Sequence, residues 1–455
     1  MEKNVDQPML VDQPILLKTF HCEEPLETFQ SEDELDNLLE EKFFPKEGHL
    51  EDWQVLTHLL KVFIGTGILG LPSAVMHGGL ILGPAILLLL GFVCMYNIKL
   101  LVDTAQNIRE SLGINRISYS GISEYLFSVY GKRIGMLARY VTDCFLCTLQ
   151  LGFCCVYVVF ISHNLQAAAH ILDVRIWMII IFPFLLVLSL SVNIQKLAYL
   201  TMSGNVIALI GLGLIYQYLF SHVQLPLKLP NSNGVINACV AFGQIIYAFE
   251  GIAVVLPTEN KLKTRESFRW ILQITGCLVM FLYFSFAILG YLTFGDKTMG
   301  SISLNLPQTW LYQVLQLLYS LMVYFTYPLQ LLVSVEIINS YCSSPKEPLS
   351  KLQEYLLRSS LVVTTCILAV FIPQLDHFMS LVGSVSGVAV GLILPPVLHT
   401  ICYWNQGLSN ISLVINIMIV IIGLFVSVVG TVSTVYSIMQ RYTNLPHSTK
   451  PIGKF

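Results

Sequence analysis

The sequence predicts an all-α multi-pass membrane protein with eleven transmembrane helices, arranged as two inverted repeats of five spans and one extra helix. Three observations support this fold class: the composition, the number of long apolar runs, and two interrupted runs that resemble each other. Of the 455 residues, 55% are hydrophobic and only 12% are charged. Soluble domains carry about 25% charged residues. Most of this chain is therefore expected to lie in lipid.

Eleven apolar runs approach or reach the length of a membrane span, which is about 17–25 residues. The predicted spans cover residues 53–76, 79–102, 136–161, 176–193, 198–220, 235–257, 271–294, 310–337, 358–373, 378–402 and 411–438. Residues 53–438 are accordingly predicted to form the membrane domain.

The two ends of the chain are polar. Residues 1–52 contain 15 acidic and 4 basic residues, which is too much charge, with too few branched apolar residues, for an independent fold. They are predicted to form a disordered acidic cytoplasmic tail without a cleavable signal pattern, so the first span is expected to direct insertion. Residues 439–455 are predicted to form a short non-cytoplasmic tail.

The distribution of Lys and Arg predicts the orientation. With a cytoplasmic N-terminus, sixteen of these residues fall on the cytoplasmic side and six on the other side. Cytoplasmic loops carry the excess of positive charge, so this orientation is favoured. The glycosylation sequon at Asn410 then lies on the cytoplasmic side and is expected to stay unmodified.

The first span is interrupted by Gly65-Thr66-Gly67, followed by Gly70-Leu71-Pro72. Glycine and proline disfavour a continuous helix, and a break in lipid survives only where protein, water or a ligand pairs the backbone. Discontinuous spans form binding sites in secondary transporters. The G-x-G-x-x-G spacing lacks the strand and the acidic residue of a dinucleotide site. Close packing of neighbouring helices on the glycines is the remaining alternative.

A similar pattern recurs in the sixth span, where Phe249-Glu250-Gly251 precedes Leu256-Pro257. Five spans separate the starts of the two patterns. Because five is odd, two repeats of five spans have opposite orientations in the membrane. Paired interruptions in corresponding halves are the best sequence indication of a transporter binding site.

Three ionisable residues lie in or beside these interruptions. His58 titrates near physiological pH, so it is a candidate for proton coupling, and a neutral structural histidine is the alternative. Lys61, one turn later, is predicted to extend to the cytoplasmic interface, and the alternative is a fixed cation beside the site that disfavours protonation of His58. Glu250 must be protonated, paired or bound to a cation at this depth, so it is a second candidate; a gating or structural contact is the alternative.

The helix ends at the two breaks predict the class of substrate. A helix N-terminus with free N–H groups favours a carboxylate, and a helix C-terminus with free carbonyls favours an ammonium group. One site can therefore hold both ends of an amino acid.

No catalytic triad, H-E-x-x-H, Walker A or EF-hand pattern occurs in a usable context. Cys144 and Cys147 have C-x-x-C spacing, but inside a span this spacing only places both on one helix face. We predict no enzymatic activity, no metal, no cofactor and no nucleic-acid partner.

From about His58 to the last span, the sequence resembles the proton-coupled amino acid transporter family, also called solute carrier family 36, a branch of the amino acid/auxin permease group. The resemblance rests on four separated motifs: T-H-L-L-K-x-x-I-G-T-G-I-L-G-L-P at 57–72, Q-L-G-F-C-x-V-Y-x-V-F at 150–160, F-E-G-I at 249–252 with V-L-P-x-E-N at 255–260, and G-S-I-S-L-N-L-P at 300–307.

The resemblance implies an inverted-repeat fold like that of the bacterial leucine transporter, and symport of small neutral amino acids with protons. His58 matches, by motif position, the histidine proposed as the family's proton-coupling residue. The family's substrate site corresponds to two segments of this chain: Ile64, Gly65, Thr66, Gly67, and Ala248, Phe249, Glu250, Gly251.

The chain departs from the family pattern in two places. Val62-Phe63 replaces the usual Gly-Asn, and a bulky ring there is expected to shrink the pocket, shift its preference or weaken transport. Family members tend to carry a disulfide between two non-cytoplasmic loops. The corresponding loops, about 162–175 and 295–309, contain no cysteine, so no such bridge is predicted.

The acidic tail contains two copies of the acidic dileucine sorting pattern, which adaptor proteins read. Their defining residues are Asp12, Leu16, Leu17, Glu34, Leu38 and Leu39. Family members occur in lysosomes, so we expect a lysosomal or late endosomal membrane, with the plasma membrane as the alternative.

The first functional hypothesis is a proton-coupled carrier that moves small neutral amino acids from the lysosome lumen to the cytosol. The second is an amino-acid sensor with weak transport, whose tail binds signalling proteins. Uptake at the plasma membrane, or facilitated exchange without protons, remains a third possibility.

Overall fold

The computed structural model describes residues 51–114, 116–190, 194–223, 229–259, 262, 267–342 and 350–443, and these are nearly all helical. The prediction of an all-α protein is confirmed. The helices are α1 (Asp52–Phe63), α2 (Thr66–Gly78), α3 (Leu82–Leu112), α4 (Tyr119–Ser128), α5 (Lys132–Ala169), α6 (Val174–Leu190), α7 (Ile194–His222), α8 (Val235–Phe249), α9 (Ile252–Glu259), α10 (Phe268–Phe294), α11 (Trp310–Cys342), α12 (Lys351–Phe371), α13 (Leu375–Val382), α14 (Leu394–Tyr403) and α15 (Asn410–Thr443).

Within the described residues, eight segments are helical and apolar over a length that can cross a membrane, and the bent pair α1 and α2 makes a ninth. Two shorter apolar helices, Val174–Leu190 and Val206–His222, coincide with the fourth and fifth predicted spans. The protein is therefore a multi-pass membrane protein. The exact number of eleven spans stays a prediction.

The first span breaks where its glycines predict. α1 starts with a capping box between Glu51 and Gln54 and ends at Phe63. α2 begins at Thr66 and is bent by 49° relative to α1. Pro72, in contrast, does not interrupt α2. Its ring packs on Gly290 of α10, where an added Cβ atom would lie 2.6 Å from it.

The sixth span breaks at its predicted position too. α8 ends at Phe249, Glu250 and Gly251 are not helical, and α9 begins at Ile252. This segment lies at the centre of the bundle. Within its apolar stretch 72% of residues are buried, against 22% for α12, which is mostly exposed.

Several features depart from the expected pattern. α3, α5 and α12 extend well beyond their predicted spans, and α4 is a short helix that the hydropathy pattern did not indicate. The tenth predicted span consists of α13, a π-helical segment (Gly383–Ile393) and α14. α15 continues to Thr443, so the predicted tail 439–455 starts inside this helix. Residues 1–50 and 444–455 lie outside the described residues.

Candidate functional site

A cavity of about 100 Å³ lies between the two helix breaks. One water molecule needs about 10–15 Å³ on this scale, so the cavity has room for a small polar solute. The walls come from α1, α2, α5, α8, α9 and α11. They consist of Val62, Phe63, Gly65, Thr66, Gly67, Leu149, Gln150, Phe153, Tyr157, Tyr247, Ala248, Glu250, Gly251, Ala253, Val254 and Gln330.

The N-terminus of α2 forms one polar wall of this cavity. The first N–H groups of a helix have no partner within the helix and carry partial positive charge. Gly65, the N-cap, is extended, and a Cβ atom there would meet nothing within 4 Å. At Gly67 a Cβ atom would come within 2.8 Å of the Ala248 Cα atom. Glycine at 67 is thus required for the contact that joins the two broken spans.

Tyr283 of α10 links the carbonyl ends of both breaks. Its buried hydroxyl lies within hydrogen-bonding distance of the Phe63 carbonyl at the end of α1 and 2.8 Å from the Ala248 carbonyl near the end of α8. Helix C-termini leave carbonyls without a partner in the helix, and here the Tyr283 hydroxyl acts as the donor to them. No part of the sequence pattern singled out Tyr283, because its span is uniformly apolar.

Glu250 lies in the middle of the second break, between the cavity and the π-helical segment. The Ile252 N–H group hydrogen-bonds its carboxylate. Its Oε1 atom is buried and has no hydrogen-bond partner in the described part of the chain. A Cβ atom at Gly391 would lie 3.3 Å from Oε2. The carboxylate thus reaches the cavity and the π segment at once.

The π segment is fixed by polar side chains that pair its carbonyls. Tyr119 donates to the Val390 carbonyl at 2.7 Å, and Asn97 donates to the Gly391 carbonyl at 2.8 Å. Single π-helical turns are frequent at functional sites. The wall beside Glu250 is therefore held in one geometry by α3 and α4.

Two further helices add polar groups to the cavity. Gln330 of α11 donates its amide N–H to the Gln150 carbonyl oxygen of α5. On the opposite wall the Thr66 and Tyr247 hydroxyls lie 3.3 Å apart. Sequence reasoning predicted Thr66 but missed Gln150, Tyr247 and Gln330 as site residues. A signal for Gln150 existed, since it begins one of the motifs on which the family resemblance rests.

Most of the predicted substrate residues meet at this cavity. Gly65, Thr66, Gly67, Ala248, Glu250 and Gly251 line it, whereas Ile64 and Phe249 are not part of its wall. Phe249 instead packs against the Tyr283 ring, with centroids 4.9 Å apart.

The departure at Val62-Phe63 falls on the cavity wall. Phe63 is buried, and a Cβ atom at Gly251 would lie 3.0 Å from its ring. The ring therefore packs directly against the second break, where it limits the width of the cavity.

His58 is half-buried on α1 and lies outside the cavity wall. His58 takes part in at least one hydrogen bond, ion pair, ring contact or electrostatic interaction. Lys61 is partly buried one turn later. The sorting residues Asp12, Leu16, Leu17, Glu34, Leu38 and Leu39 lie outside the described residues.

Residues 50–439 match the family described as transmembrane amino acid transporter protein. The chain is 32% identical over 411 residues to the proton-coupled amino acid transporter-like protein pathetic of Drosophila melanogaster, covering 86% of each protein. It is 28% identical over 386 residues to the amino acid transporter AVT3A of Arabidopsis thaliana, covering 83% of this chain and 87% of the relative.

Two solved transporters overlap this structure over most of its length. One is a Na⁺-coupled sialic acid symporter in a substrate-bound, outward-open state, with a TM-score of 0.48 and 13% identity over 86% of this chain and 89% of the symporter. The other is inward-facing Mhp1, with a TM-score of 0.49 and 12% identity over 87% and 91% of the two chains.

The family match spans nearly the whole membrane domain, and its relatives are transporters, which agrees with the absence of an enzyme motif in the sequence. The chain belongs to the transmembrane amino acid transporter family.

Proposed function

We propose that this protein carries small neutral amino acids together with protons, from the lysosome lumen to the cytosol. The observation that carries the proposal is the small cavity between two broken helices, with a helix N-terminus on one side and a carboxylate on the other. Ile64, Gly65, Thr66 and Gly67, with Ala248, Phe249, Glu250 and Gly251, are proposed as the substrate site.

The proposed pose places the substrate carboxylate at the N-terminus of α2. Its ammonium group lies toward Glu250 and the Gln150–Gln330 pair. The helix N-terminus favours the anion, and the carboxylate and amide oxygens favour the cation. Phe63 and Phe153 leave little width for a side chain. This favours glycine, alanine and proline over tryptophan.

His58 and Glu250 are proposed as the proton-coupling residues. Support for Glu250 comes from its position: an ionised carboxylate with a buried, unpaired oxygen is costly, so a proton or the substrate ammonium neutralises it. Support for His58 is its motif position. The printed name of the Drosophila relative includes proton coupling as well.

The orientation and location are part of the same proposal. The Lys and Arg bias supports a cytoplasmic N-terminus. The two dileucine patterns support sorting to the lysosome by adaptors. The two halves of the chain are proposed to form the inverted repeats, since each contains one broken span and the breaks face each other across the cavity.

The test is uptake of labelled alanine, glycine, proline and tryptophan into proteoliposomes, with and without an inward proton gradient. Wild type is expected to accumulate alanine faster with the gradient, and His58→Ala is expected to lose that stimulation. His222→Ala is the matched control, because His222 is exposed at the end of α7 and remote from the cavity.

Uptake of alanine that ignores the gradient would overturn proton coupling and establish facilitated exchange. Binding of alanine without flux would overturn transport and favour the sensor. Deletion of residues 1–50 distinguishes a carrier from a sensor. A carrier retains its alanine flux without the tail, whereas a sensor loses its signalling.

A further inference from the structure

A cluster of three ionisable side chains lies at the far end of α2, away from the substrate cavity. The His77 Nε2 atom is 3.1 Å from Oδ2 of Asp376, and the His377 Nδ1 atom is 3.0 Å from Oδ1 of the same carboxylate. The two imidazole rings stand edge to face, with centroids 5.8 Å apart. We call these three residues the His77 cluster.

The His77 cluster is buried. Exposure is 8% for His77, 7% for Asp376 and 2% for His377. With both imidazoles neutral and the carboxylate ionised, the cluster carries one negative charge out of contact with water. An isolated buried charge is strongly disfavoured, and one added proton makes the cluster neutral.

The surroundings add few compensating charges. On α5, the Nε2 atom of His163 lies 2.7 Å from the Pro373 carbonyl, and this imidazole is a further titratable group close enough to interact with Asp376. α8 contains no charged residue, and α15 contains one, Arg441, in its last turn.

The segment between α10 and α11, which contains short 3₁₀ helices at Gly295–Lys297 and Ile302–Asn305, packs against the cluster. It contains exposed Asp296 and Lys297 and touches the cluster at Gly300, where a Cβ atom would come within 2.9 Å of the Asp376 amide. Gly70 of α2 packs on the same loop. The cluster is thus closed off from bulk water by a segment that also contacts α2.

α2 connects the cluster to the substrate site. Thr66 and Gly67 at its start line the cavity, and His77 lies in its last turn. Eleven residues separate Thr66 from His77, which corresponds to about 16 Å along one helix. A movement of α2 relative to α13 therefore changes the geometry of both the His77 cluster and the cavity.

We propose that His77, Asp376 and His377 form a proton-binding site that holds α2 against α13. With the proton bound, an imidazolium donates to the Asp376 carboxylate and the helices stay closed. When the proton leaves, the neutral cluster becomes negatively charged. Water then enters, and α2 is free to separate from α13. The inference rests on the proposed proton coupling and names a place where the proton binds.

The experiment compares wild type with His77→Gln and His377→Gln in proteoliposomes. A monodisperse elution profile and a cooperative thermal unfolding transition in detergent are used to show that the variants fold. In wild type, a proton that couples to substrate is expected to change apparent alanine affinity by about 5–150-fold between acidic and neutral pH. This pH dependence should shrink in both variants, because His58 and Glu250 remain, and should keep its wild-type size in His222→Gln, an exposed control.

Retention of the wild-type pH dependence in both variants and in the double variant would overturn the inference. A second readout does not depend on transport: solid-state NMR of ¹⁵N-histidine protein in lipid at neutral pH. An imidazolium signal that is lost in His77→Gln or His377→Gln supports the proton site, and its absence from wild type overturns it. If wild-type transport ignores the gradient, the proposed coupling fails, and the NMR result alone decides on the cluster.

Discussion

The two helix breaks face each other across one cavity, yet their chemistry differs. At the first break all groups are neutral: the Phe63 carbonyl accepts from the Gly65 N–H and lies against the Tyr283 hydroxyl. At the second break Glu250 presents a carboxylate oxygen that has no partner within the described residues. The first break is therefore a fixed frame for the substrate, whereas the second holds the group whose partner or protonation can change.

The largest effect is expected from removing the charge at the second break. Glu250→Gln keeps the shape but loses a charge-assisted hydrogen bond worth about 1.5–3 kcal/mol, so alanine uptake should fall about 10–150-fold. Initial uptake rates in proteoliposomes measure this. Glu354→Gln is the control, because Glu354 lies in a partly exposed ion pair with Arg358 on α12. Equal uptake by wild type and Glu250→Gln would show that the charge at the second break has no role in transport.

An intermediate effect is expected from the close contact between the breaks. Gly67→Ala adds a Cβ atom within 2.8 Å of the Ala248 Cα atom, and overpacking of this kind costs about 1–3 kcal/mol. The melting temperature in detergent should fall, and uptake with it. Gly65→Ala is the matched variant, since its Cβ atom meets nothing within 4 Å. Equal melting of the two variants would show that the α2–α8 contact is looser than the structure has it.

The smallest effect is expected at Tyr283. Tyr283→Phe removes the donor shared by the Phe63 and Ala248 carbonyls, but Phe63 keeps the Gly65 N–H. One buried carbonyl then lacks a partner, which costs about 1–3 kcal/mol, with the low end expected because one of the two carbonyls stays paired. Tyr324→Phe, which loses a single bond to the exposed Phe184 carbonyl, should melt closer to wild type. No difference between these variants would contradict the linking role of Tyr283.

Residue pattern alone located both breaks within one or two residues. Gly65 and Gly67 are poor helix formers at a depth where lipid offers no hydrogen bonds, so the interruption had to be stabilised by protein or ligand. The same reasoning predicted Glu250 at the site. It misjudged Pro72, which lies inside the continuous helix α2.

Residues that reach the site from other helices were not recognised. Tyr283 and Gln330 lie in long apolar runs, and hydropathy does not show which helix face points to the site. The π-helical turn beside Glu250 has no periodic pattern of residues that would predict it. His77 and His377 were likewise passed over, because 299 residues separate His77 from Asp376 in the chain.

The sequence by itself determined the membrane class, the approximate spans and the two interruptions, because each depends on the local balance between apolar side chains and backbone hydrogen bonding. Only the tertiary structure decided which side chains surround the breaks, that His58 lies outside the cavity wall, and that His77 and His377 both lie beside the Asp376 carboxylate. Those facts depend on how distant helices rotate and pack, and neither hydropathy nor residue spacing encodes that rotation.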